Sequence, residues 1–194
     1  PSSPSSAVSL SQHFSLPGLD YRLAWDHRCF FQVNCRQNAQ LIERVLDLLP
    51  RQPRPRTALD LFCGIGNFSL PFALQGVTVT GVEHNRRSIH WAQENSRRAE
   101  LTATRFLAAD VEHQLRAFAH QKARFDCILF DPPRQGLGKS AALLAKLAPA
   151  HIIAISCDPA TLARDLALII PGGYRLAQLS PVAMFPHTHH IESV

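Results

Sequence analysis

The sequence predicts an α/β fold in which a mostly parallel, twisted sheet carries helices on both faces. Short apolar, strand-like runs alternate with helix-like segments from Ala58 onward, and this alternation is typical of parallel sheets with helical crossovers. Four of the strand-like runs end at a side chain that can take part in chemistry, namely Glu83, Asp110, Asp131 and Cys157. Because ligands bind at the carboxyl ends of the strands in such sheets, the pattern predicts a site as well as a fold.

The individual elements follow one another at short intervals. FFQVNCRQN (30–38) leads into a helix whose apolar residues recur at helical spacing up to Leu49, and Pro50 ends that helix. The later predicted strands are 58–62, 77–83, 103–110, 125–131, 151–156 and a last one within 174–185. The helices predicted between them are 69–75, 85–99, 111–122, 138–148 and 159–170.

The length of 194 residues predicts one main domain of ordinary size. Residues 1–19, which open with PSSPSS, are expected to be a disordered lead-in or linker. Residues 20–57 are expected to form a strand and helix extension, and residues 58–194 the main domain.

Composition excludes several classes of protein. No apolar run approaches the roughly 20 residues that a membrane span needs, and the opening residues lack the basic start and apolar core of a signal peptide. The five cysteines contain no C-x-x-C pair, so the spacings of zinc ribbons and iron–sulfur sites are absent. Three histidines lie within MFPHTHHIESV (184–194) without the paired spacing of a zinc site. We therefore expect a cytoplasmic protein that uses neither a membrane nor a metal.

The charge balance is basic. The net charge is +5, the isoelectric point is about 9.3 and 17 of the 20 basic residues are arginine. Arginine is the better bidentate partner for phosphate, so RNA or DNA is a candidate partner. A solvated basic surface explains the same charge equally well.

A glycine turn after the first strand of the main domain predicts a cofactor site. DLFCGIGNF (60–68) is not a P-loop, and its glycines Gly64 and Gly66 lack the third glycine of the dinucleotide fingerprint. Glu83 lies about 20 residues further on, where a carboxylate can hold the hydroxyls of a ribose. An adenosine cofactor without phosphates, such as S-adenosylmethionine, fits this combination, and Asp110 would then lie near the adenine.

Three further residues are candidates for the chemistry. Asp131 is presented by the rigid loop FDPPRQG (130–136). Cys157 ends the next strand, where the following helix favours its thiolate and Asp158 would cap that helix while opposing thiolate formation by its charge. Glu192 stands in an apolar context that can raise the pKa of a carboxyl and suit a general base. Spacing alone leaves each of them open as an ordinary structural residue.

Taken together, the motifs resemble those of a known family, the S-adenosylmethionine-dependent RNA uracil-5-methyltransferases. The resemblance covers about residues 20–194 and implies a Rossmann-like class I methyltransferase fold for residues 58–194. The motifs that carry it are DLFCGIGNFSLPFA, FDPPRQG, ISCDPATLARDL and MFPHTHHIES, and FFQVN at 30–34 is similar to the family's Phe-Gln-x-Asn motif.

The resemblance implies a role for each candidate residue. Cys157 looks like the nucleophile that adds to carbon 6 of a uracil, and Glu192 looks like the base that removes the proton from carbon 5. Asp131 lies where the target base would enter, after the nucleotide has been flipped from its stack. The positions that match the family's cofactor contacts are Gln32, Phe62, Asn67, Glu83, Asp110 and Asp131.

The chain also departs from the family pattern. Members of the family usually carry an N-terminal RNA-binding β-barrel, and some carry an iron–sulfur cysteine cluster; we expect neither within these 194 residues. Asp158 stands where the family often has Asn, and Ala183 stands where it often has Asp. The wording of the motifs leans toward a 23S rRNA target rather than a tRNA.

Two other classes of function remain open. Enzymes that methylate the amino group of adenine or cytosine use a related Asp-Pro-Pro motif, but they place an aromatic residue where this chain has Arg134. A non-catalytic RNA-binding module is the other alternative, and the presence of both Cys157 and Glu192 argues against it.

Overall fold

The computed structural model describes residues 9–50, 53–184 and 192–194 and has a five-stranded sheet at its centre. The strands are β1 (Leu10–Leu16), β2 (Leu19–Trp25), β3 (Thr57–Leu61), β4 (Thr78–Glu83), β5 (Thr104–Ala108), β6 (Cys127–Phe130), β7 (His151–Ala154), β8 (Pro181–Val182) and β9 (Glu192–Ser193). The α-helices are α1 (Cys35–Asp47), α2 (Ser69–Leu74), α3 (Arg86–Arg98), α4 (Val111–His120), α5 (Ala141–Leu147) and α6 (Pro159–Ile169).

The central sheet is wholly parallel and has the order β5-β4-β3-β6-β7. The chain moves outward from β3 to β5 on one side and then returns to build β6 and β7 on the other. The strand order therefore reverses between β3 and β6, and this is the point where open α/β sheets leave a crevice for a ligand. The predicted parallel α/β architecture is confirmed.

Each face of the sheet is covered by its own apolar cluster. Along β3, Ala58 belongs to the cluster with the N-terminal hairpin, α1, α2 and α3, whereas Leu59 and Leu61 belong to the cluster with α4 and α5. This alternation follows from the period of two in a strand. The remaining residue of the strand core, Asp60, is only 2% exposed and so places a carboxyl group inside the domain.

Residues 10–19 form regular structure, so the expected disordered lead-in over 1–19 is wrong for this part; residues 1–8 lie outside the described residues. β1 and β2 make an antiparallel hairpin through a turn in which Gly18 has a φ of +74°. Phe14 stacks on Tyr21 with ring centroids 5.2 Å apart, and Leu23 is fully buried. Apolar residues at every second position and the Pro-Gly pair signal this hairpin in the sequence.

The last predicted strand, within 174–185, is much shorter than expected. Only Pro181–Val182 forms a strand, which pairs antiparallel with Glu192–Ser193, and the exposed residues 175–179 are irregular. A strand needs a partner for its backbone groups, and β8 finds one only where β9 lies beside it. Residues 185–191, which include the three histidines of the C-terminal motif, lie outside the described part of the chain.

Candidate active site

The loop between β3 and α2 has an unusual backbone at the point where the strand order reverses. Phe62, Gly64 and Gly66 all have positive φ values, of 61°, 53° and 92°. A positive φ is uncommon for a residue other than glycine, and such strain is found preferentially at functional sites. A Cβ at Gly66 would strike Leu70, whereas a Cβ at Gly64 would project into open space. Gly66 therefore allows the turn, and Gly64 leaves the backbone open to a ligand.

The buried carboxyl group of Asp60 on β3 connects the two ends of this loop. The Ser69 hydroxyl donates a hydrogen bond of 2.5 Å to Asp60 Oδ2, while Asp60 Oδ1 is buried and has no hydrogen-bond partner within the described residues. Burial and, to a smaller extent, the nearby Glu83 carboxylate raise the pKa of Asp60 to about 7, although the hydrogen bond from Ser69 acts in the opposite direction. Asp60 is therefore close to the midpoint of its titration at neutral pH.

Two asparagines hold the same loop from outside the sheet. Asn67 and Asn38 on α1 exchange two amide hydrogen bonds of 2.9 Å each. Asn95 on α3 donates to the Ile65 carbonyl at 3.1 Å and also pairs with both backbone groups of Ala24 on β2. The loop is thus fixed to α1, α3 and the hairpin before any ligand binds. Asn67, which the resemblance assigns to the cofactor, already spends half of its hydrogen-bonding capacity on Asn38.

Two of the other residues matched to cofactor positions lie at the carboxyl-terminal edge of the sheet. Glu83, at the end of β4, is 8% exposed, and its Oε1 accepts a hydrogen bond of 2.8 Å from Asn85 N. Asp110 follows the neighbouring strand β5, is exposed, and caps α4 by accepting from His113 N at 2.8 Å. Gln32 is half-buried in the irregular segment between β2 and α1. Glu83 and Asp110 lie at adjacent strand ends as predicted, and each also supports its local turn.

The chain brings Glu192 to Cys157 through a single pair of residues. Ser156, which precedes the thiol, exchanges backbone hydrogen bonds of 3.0 and 2.8 Å with Ser193, which follows the carboxylate. Asp131, at the end of β6, completes the group, because its carboxylate and that of Glu192 both act on the thiol electrostatically. The structure therefore gathers three residues from the ends of three separate strands.

The two carboxyl groups of this cluster hold their protons more tightly than usual. Burial raises the pKa of Asp131 to about 8, and the carboxylates of Glu192 and Asp60 contribute to this rise. Burial also raises the pKa of Glu192, as its apolar context predicts. Glu192 Oε2 is buried and has no hydrogen-bond partner among the residues described. An unpartnered oxygen of raised basicity is free to accept a proton.

The thiol of Cys157 does not have the favoured thiolate that its position before a helix predicts. Its pKa is raised, mainly by burial and then by the carboxylate of Glu192, while the Arg134 guanidinium and a backbone hydrogen bond act in the opposite direction. The sequence expectation is wrong because residues distant in the chain, not the helix alone, determine the local potential. Arg134 was not predicted from the sequence as part of this site.

Asp158 caps α6 as predicted. Its side chain accepts from Thr161 N at 2.9 Å, and backbone hydrogen bonding lowers the pKa of this carboxyl. The negative charges that oppose the thiolate are instead Glu192 and Asp131. The residue beside the thiol therefore serves mainly to start the helix.

The arrangement suits an adenosine-type ligand beside a nucleophile. The open turn at Gly64 and the carboxylate of Glu83 at the end of β4 offer backbone and acidic groups to hydroxyl and amino groups. Within residues 9–50, 53–184 and 192–194, no three His, Cys, Asp or Glu side chains are grouped so as to hold a metal ion. In the same residues, no helix has both the length and the hydropathy of a membrane span.

Comparison with known proteins places the chain among RNA methyltransferases. Residues 9–194 match a family model described as tRNA (uracil-5-)-methyltransferase. A 23S rRNA (uracil(1939)-C(5))-methyltransferase RlmD from Aeromonas hydrophila is 40% identical over 181 residues, which are 93% of this chain and 40% of that relative. The RlmD protein of Photobacterium angustum is 39% identical over 90% of this chain and 79% of its own length. The chain thus spans about two fifths of the Aeromonas relative.

Solved structures share the fold. The Pyrococcus abyssi tRNA (uracil-54, C5)-methyltransferase in complex with S-adenosyl-L-homocysteine matches with a TM-score of 0.76 and 29% identity, over 90% of this chain and 41% of that one. The Thermus thermophilus 16S rRNA N2 G1207 methyltransferase matches with a TM-score of 0.63 and 20% identity, over 98% of this chain and 51% of that one. The expected Rossmann-like methyltransferase fold is confirmed.

Proposed function

Because the chain belongs to the tRNA (uracil-5-)-methyltransferase family, we propose that it transfers a methyl group from S-adenosylmethionine to carbon 5 of a uridine in RNA. The preferred target is 23S rRNA, since relatives that are about 40% identical carry that name whereas the tRNA enzyme of known structure is 29% identical. With an RNA target and five free cysteines, the site of action is the cytoplasm.

The observation that carries the proposal is the convergence of a thiol and a buried carboxylate oxygen that has no hydrogen-bond partner among the described residues. Cys157 and Glu192 are 35 positions apart in the sequence, yet the Ser156–Ser193 bridge brings them together. Burial of a carboxyl oxygen without a hydrogen bond reduces the stability of the fold, so such a group calls for a functional explanation. Proton removal beside a nucleophile provides such an explanation.

The cofactor belongs in the crevice at the strand-order reversal. S-adenosylmethionine, when bound, supplies an electrophilic methyl group on its sulfonium. Glu83 at the end of β4 would hold the ribose hydroxyls, and Asp110, after the neighbouring strand β5, would contact the adenine. Gln32, Phe62 and Asn67 complete the contacts that the resemblance implies. The strained turn from Phe62 to Gly66 exposes its backbone for the same purpose.

Cys157 solves the problem that carbon 5 of uracil is a poor nucleophile. Addition of the sulfur to carbon 6 forms a carbon–sulfur bond and turns carbon 5 into an enolate-like nucleophile. The raised pKa of Cys157 means that the thiolate needs help, which Arg134 and the start of α6 supply. Asp131, largely protonated at neutral pH with a pKa of about 8, can donate a hydrogen bond to a carbonyl oxygen of the base.

Glu192 completes the cycle after the methyl group has been transferred. Its Oε2, which has no partner in the described part of the chain, accepts the proton from carbon 5, and the electrons of that bond restore the ring double bond as the Cys157 sulfur leaves. The raised pKa of Glu192 makes it a stronger base than an exposed carboxylate.

The first test replaces the nucleophile. We expect Cys157→Ala to lose methyl transfer by at least about 10³-fold while it still binds S-adenosylhomocysteine. Cys35→Ala is the matched control, because Cys35 is a half-buried free cysteine at the start of α1. Radiolabelled transfer to 23S rRNA fragments and to tRNA measures both rate and target. Normal turnover of Cys157→Ala would contradict the covalent route, and a methyl group on an amino nitrogen would contradict the uracil assignment.

The second test stalls the release step. Glu192→Gln removes the base, so we expect a covalent protein–RNA adduct that survives denaturing electrophoresis. Glu43→Gln, which changes a half-buried acid on α1, should form no adduct above the wild-type level. If Glu192→Gln forms no stable adduct and turns over at the wild-type rate, another group removes the proton.

A further inference from the structure

A single buried carboxylate links the loop that follows Asp131 to the helix that follows Cys157. Asp165 on α6 is 1% exposed and accepts hydrogen bonds from two consecutive backbone N–H groups, Leu137 N at 2.6 Å and Gly138 N at 3.1 Å. Those groups belong to the loop that follows Asp131, whereas α6 begins immediately after Cys157. The Asp165 carboxylate therefore connects the loop after β6 to α6, the helix that begins two residues after Cys157.

The loop contains a tight turn that packs against α6. Gly136 N donates to the Pro133 carbonyl at 2.8 Å, and Gly136 has a φ of +72°. A side chain at Gly136 would collide with Asp165 and Thr161, so the turn lies directly against α6. Arg164 adds a second link by donating a hydrogen bond of 2.5 Å to the Gln135 carbonyl.

Arg134 is carried on this turn, and its charge acts on the thiol. The Arg134 guanidinium lowers the pKa of Cys157, against the carboxylates of Glu192 and Asp131, which raise it. Asp158, the next residue in the chain, is directed to the N–H groups of α6. Asp131 follows β6 directly, and its backbone N–H donates a hydrogen bond of 3.4 Å to the Leu61 carbonyl. Loss of the hydrogen bonds from Leu137 N and Gly138 N to Asp165 should therefore displace Arg134 more than Asp131.

We propose that Asp165 is a positioning residue that holds the Arg134 turn against the helix of Cys157 and thereby sets the reactivity of the thiol. Its role in methyl transfer rests on the proposed function. The effect on the thiol itself does not, because alkylation requires neither RNA nor cofactor. Failure of one claim is thus distinguishable from failure of the other.

The experiment measures the alkylation of Cys157 by iodoacetamide from pH 6 to 10, read by peptide mass spectrometry on the whole folded chain. Asp165→Asn keeps the shape but places an NH₂ group against the backbone donors. We expect the midpoint for Cys157 to rise by about 0.5 to 1 pH unit. Arg164→Met, which changes a half-exposed side chain, should give a smaller rise in the same direction. The midpoint for Cys35 in the same samples should not move.

Asp126→Asn is the matched control. Asp126 also accepts from two consecutive backbone N–H groups, Arg56 N and Thr57 N, but it lies at the opposite end of the sheet. It should leave the Cys157 midpoint unchanged. Equal midpoints in wild type, Asp165→Asn and Arg164→Met would overturn the proposal, as would an equal shift in Asp126→Asn. Should Asp165→Asn not fold, Arg164→Met alone decides. In methyl transfer, Asp165→Asn should lower kcat with little change in the KM for S-adenosylmethionine.

Discussion

At the scale of single residues, Asp60 shows how strongly a parallel strand can perturb a side chain. It occupies the central strand between Gly81 and Leu129, with one oxygen bonded to Ser69 and the other without a partner in the described structure. Burial and the neighbouring Glu83 raise its pKa from 3.8 to about 7. The sequence shows an acid in an apolar run, but it does not show how deeply that acid is buried.

We expect Asp60→Asn to stabilise the protein increasingly as the pH rises from 5 to 8. In the folded state Asp60 ionises near pH 7, whereas in the unfolded chain it ionises near 3.8. Its contribution to stability is therefore fully present below pH 3.8 and is lost as the pH rises through 7. Between pH 4 and pH 8, the free energy of unfolding of the variant relative to the wild type should rise by about 4 kcal/mol. Thermal denaturation followed by circular dichroism at several pH values measures it.

Asp126→Asn provides a comparison of opposite sign. Backbone hydrogen bonds from Arg56 and Thr57 lower the pKa of Asp126, so its contribution is present at neutral pH and is lost as the pH falls. This variant should be destabilised at pH 8 and should approach the wild type in acid. A pH-independent difference for both variants would show that neither carboxyl titrates differently in the folded and unfolded states.

At the scale of elements, α1 is part of the site even though it lies outside the main domain predicted from the sequence. Its Asn38 is fully buried and pairs with Asn67 in the loop of residues 62–68, which we propose to contact the cofactor and call the cofactor loop. The periodicity of the sequence predicts α1 itself, because local apolar spacing is sufficient for that. The amide pair joins positions 29 residues apart, and such a contact depends on how the helix docks.

Removal of this amide pair should loosen the cofactor loop. We expect Asn38→Ala to weaken the binding of S-adenosylhomocysteine by roughly fivefold, because the half-buried amide of Asn67 loses both of its hydrogen bonds to Asn38. Isothermal titration calorimetry measures the affinity. Gln40→Ala, on the exposed side of the same helix, should bind like the wild type. If the two variants bind equally well, the loop does not depend on α1.

The sequence predicts some elements much better than others, for physical reasons. The alternating strands and helices from β3 to α6 are local patterns, and the acids at the ends of β4 and β6 follow from strand direction alone. The hairpin β1–β2 was not predicted, although its alternating apolar residues and Pro-Gly pair are visible in the sequence, because the Ser-rich stretch before it resembles a linker. The strand pair β8–β9 depends on a partner across a gap of nine residues, which no local pattern encodes.

At the scale of the whole molecule, the excess of five positive charges should make RNA binding strongly dependent on salt. For about four phosphate contacts on a single strand, log K should fall with log salt at a slope of about −3. Fluorescence anisotropy of a labelled single-stranded RNA from 50 to 300 mM KCl measures the slope.

A conservative variant tests which arginines take part in this binding. Arg97→Gln should not alter the slope, because Arg97 is held by two hydrogen bonds to Glu94 on α3. Arg134→Gln should reduce the slope, because Arg134 lies on the turn beside the proposed target site. If the slope is zero in the wild type, the basic charge serves only as a solvated surface.

The path of the chain also divides the site into two parts that a protease could separate. The thiol, the cofactor loop and the sheet precede residue 170, while Glu192 arrives only after the exposed and irregular segment 175–179. A cut in that segment leaves every strand of the central sheet intact. Limited digestion should therefore yield a nicked protein that retains its ligand and its reactive thiol. If the terminal peptide with Glu192 dissociates, the remaining protein should form the covalent Cys157–RNA adduct but should not resolve it.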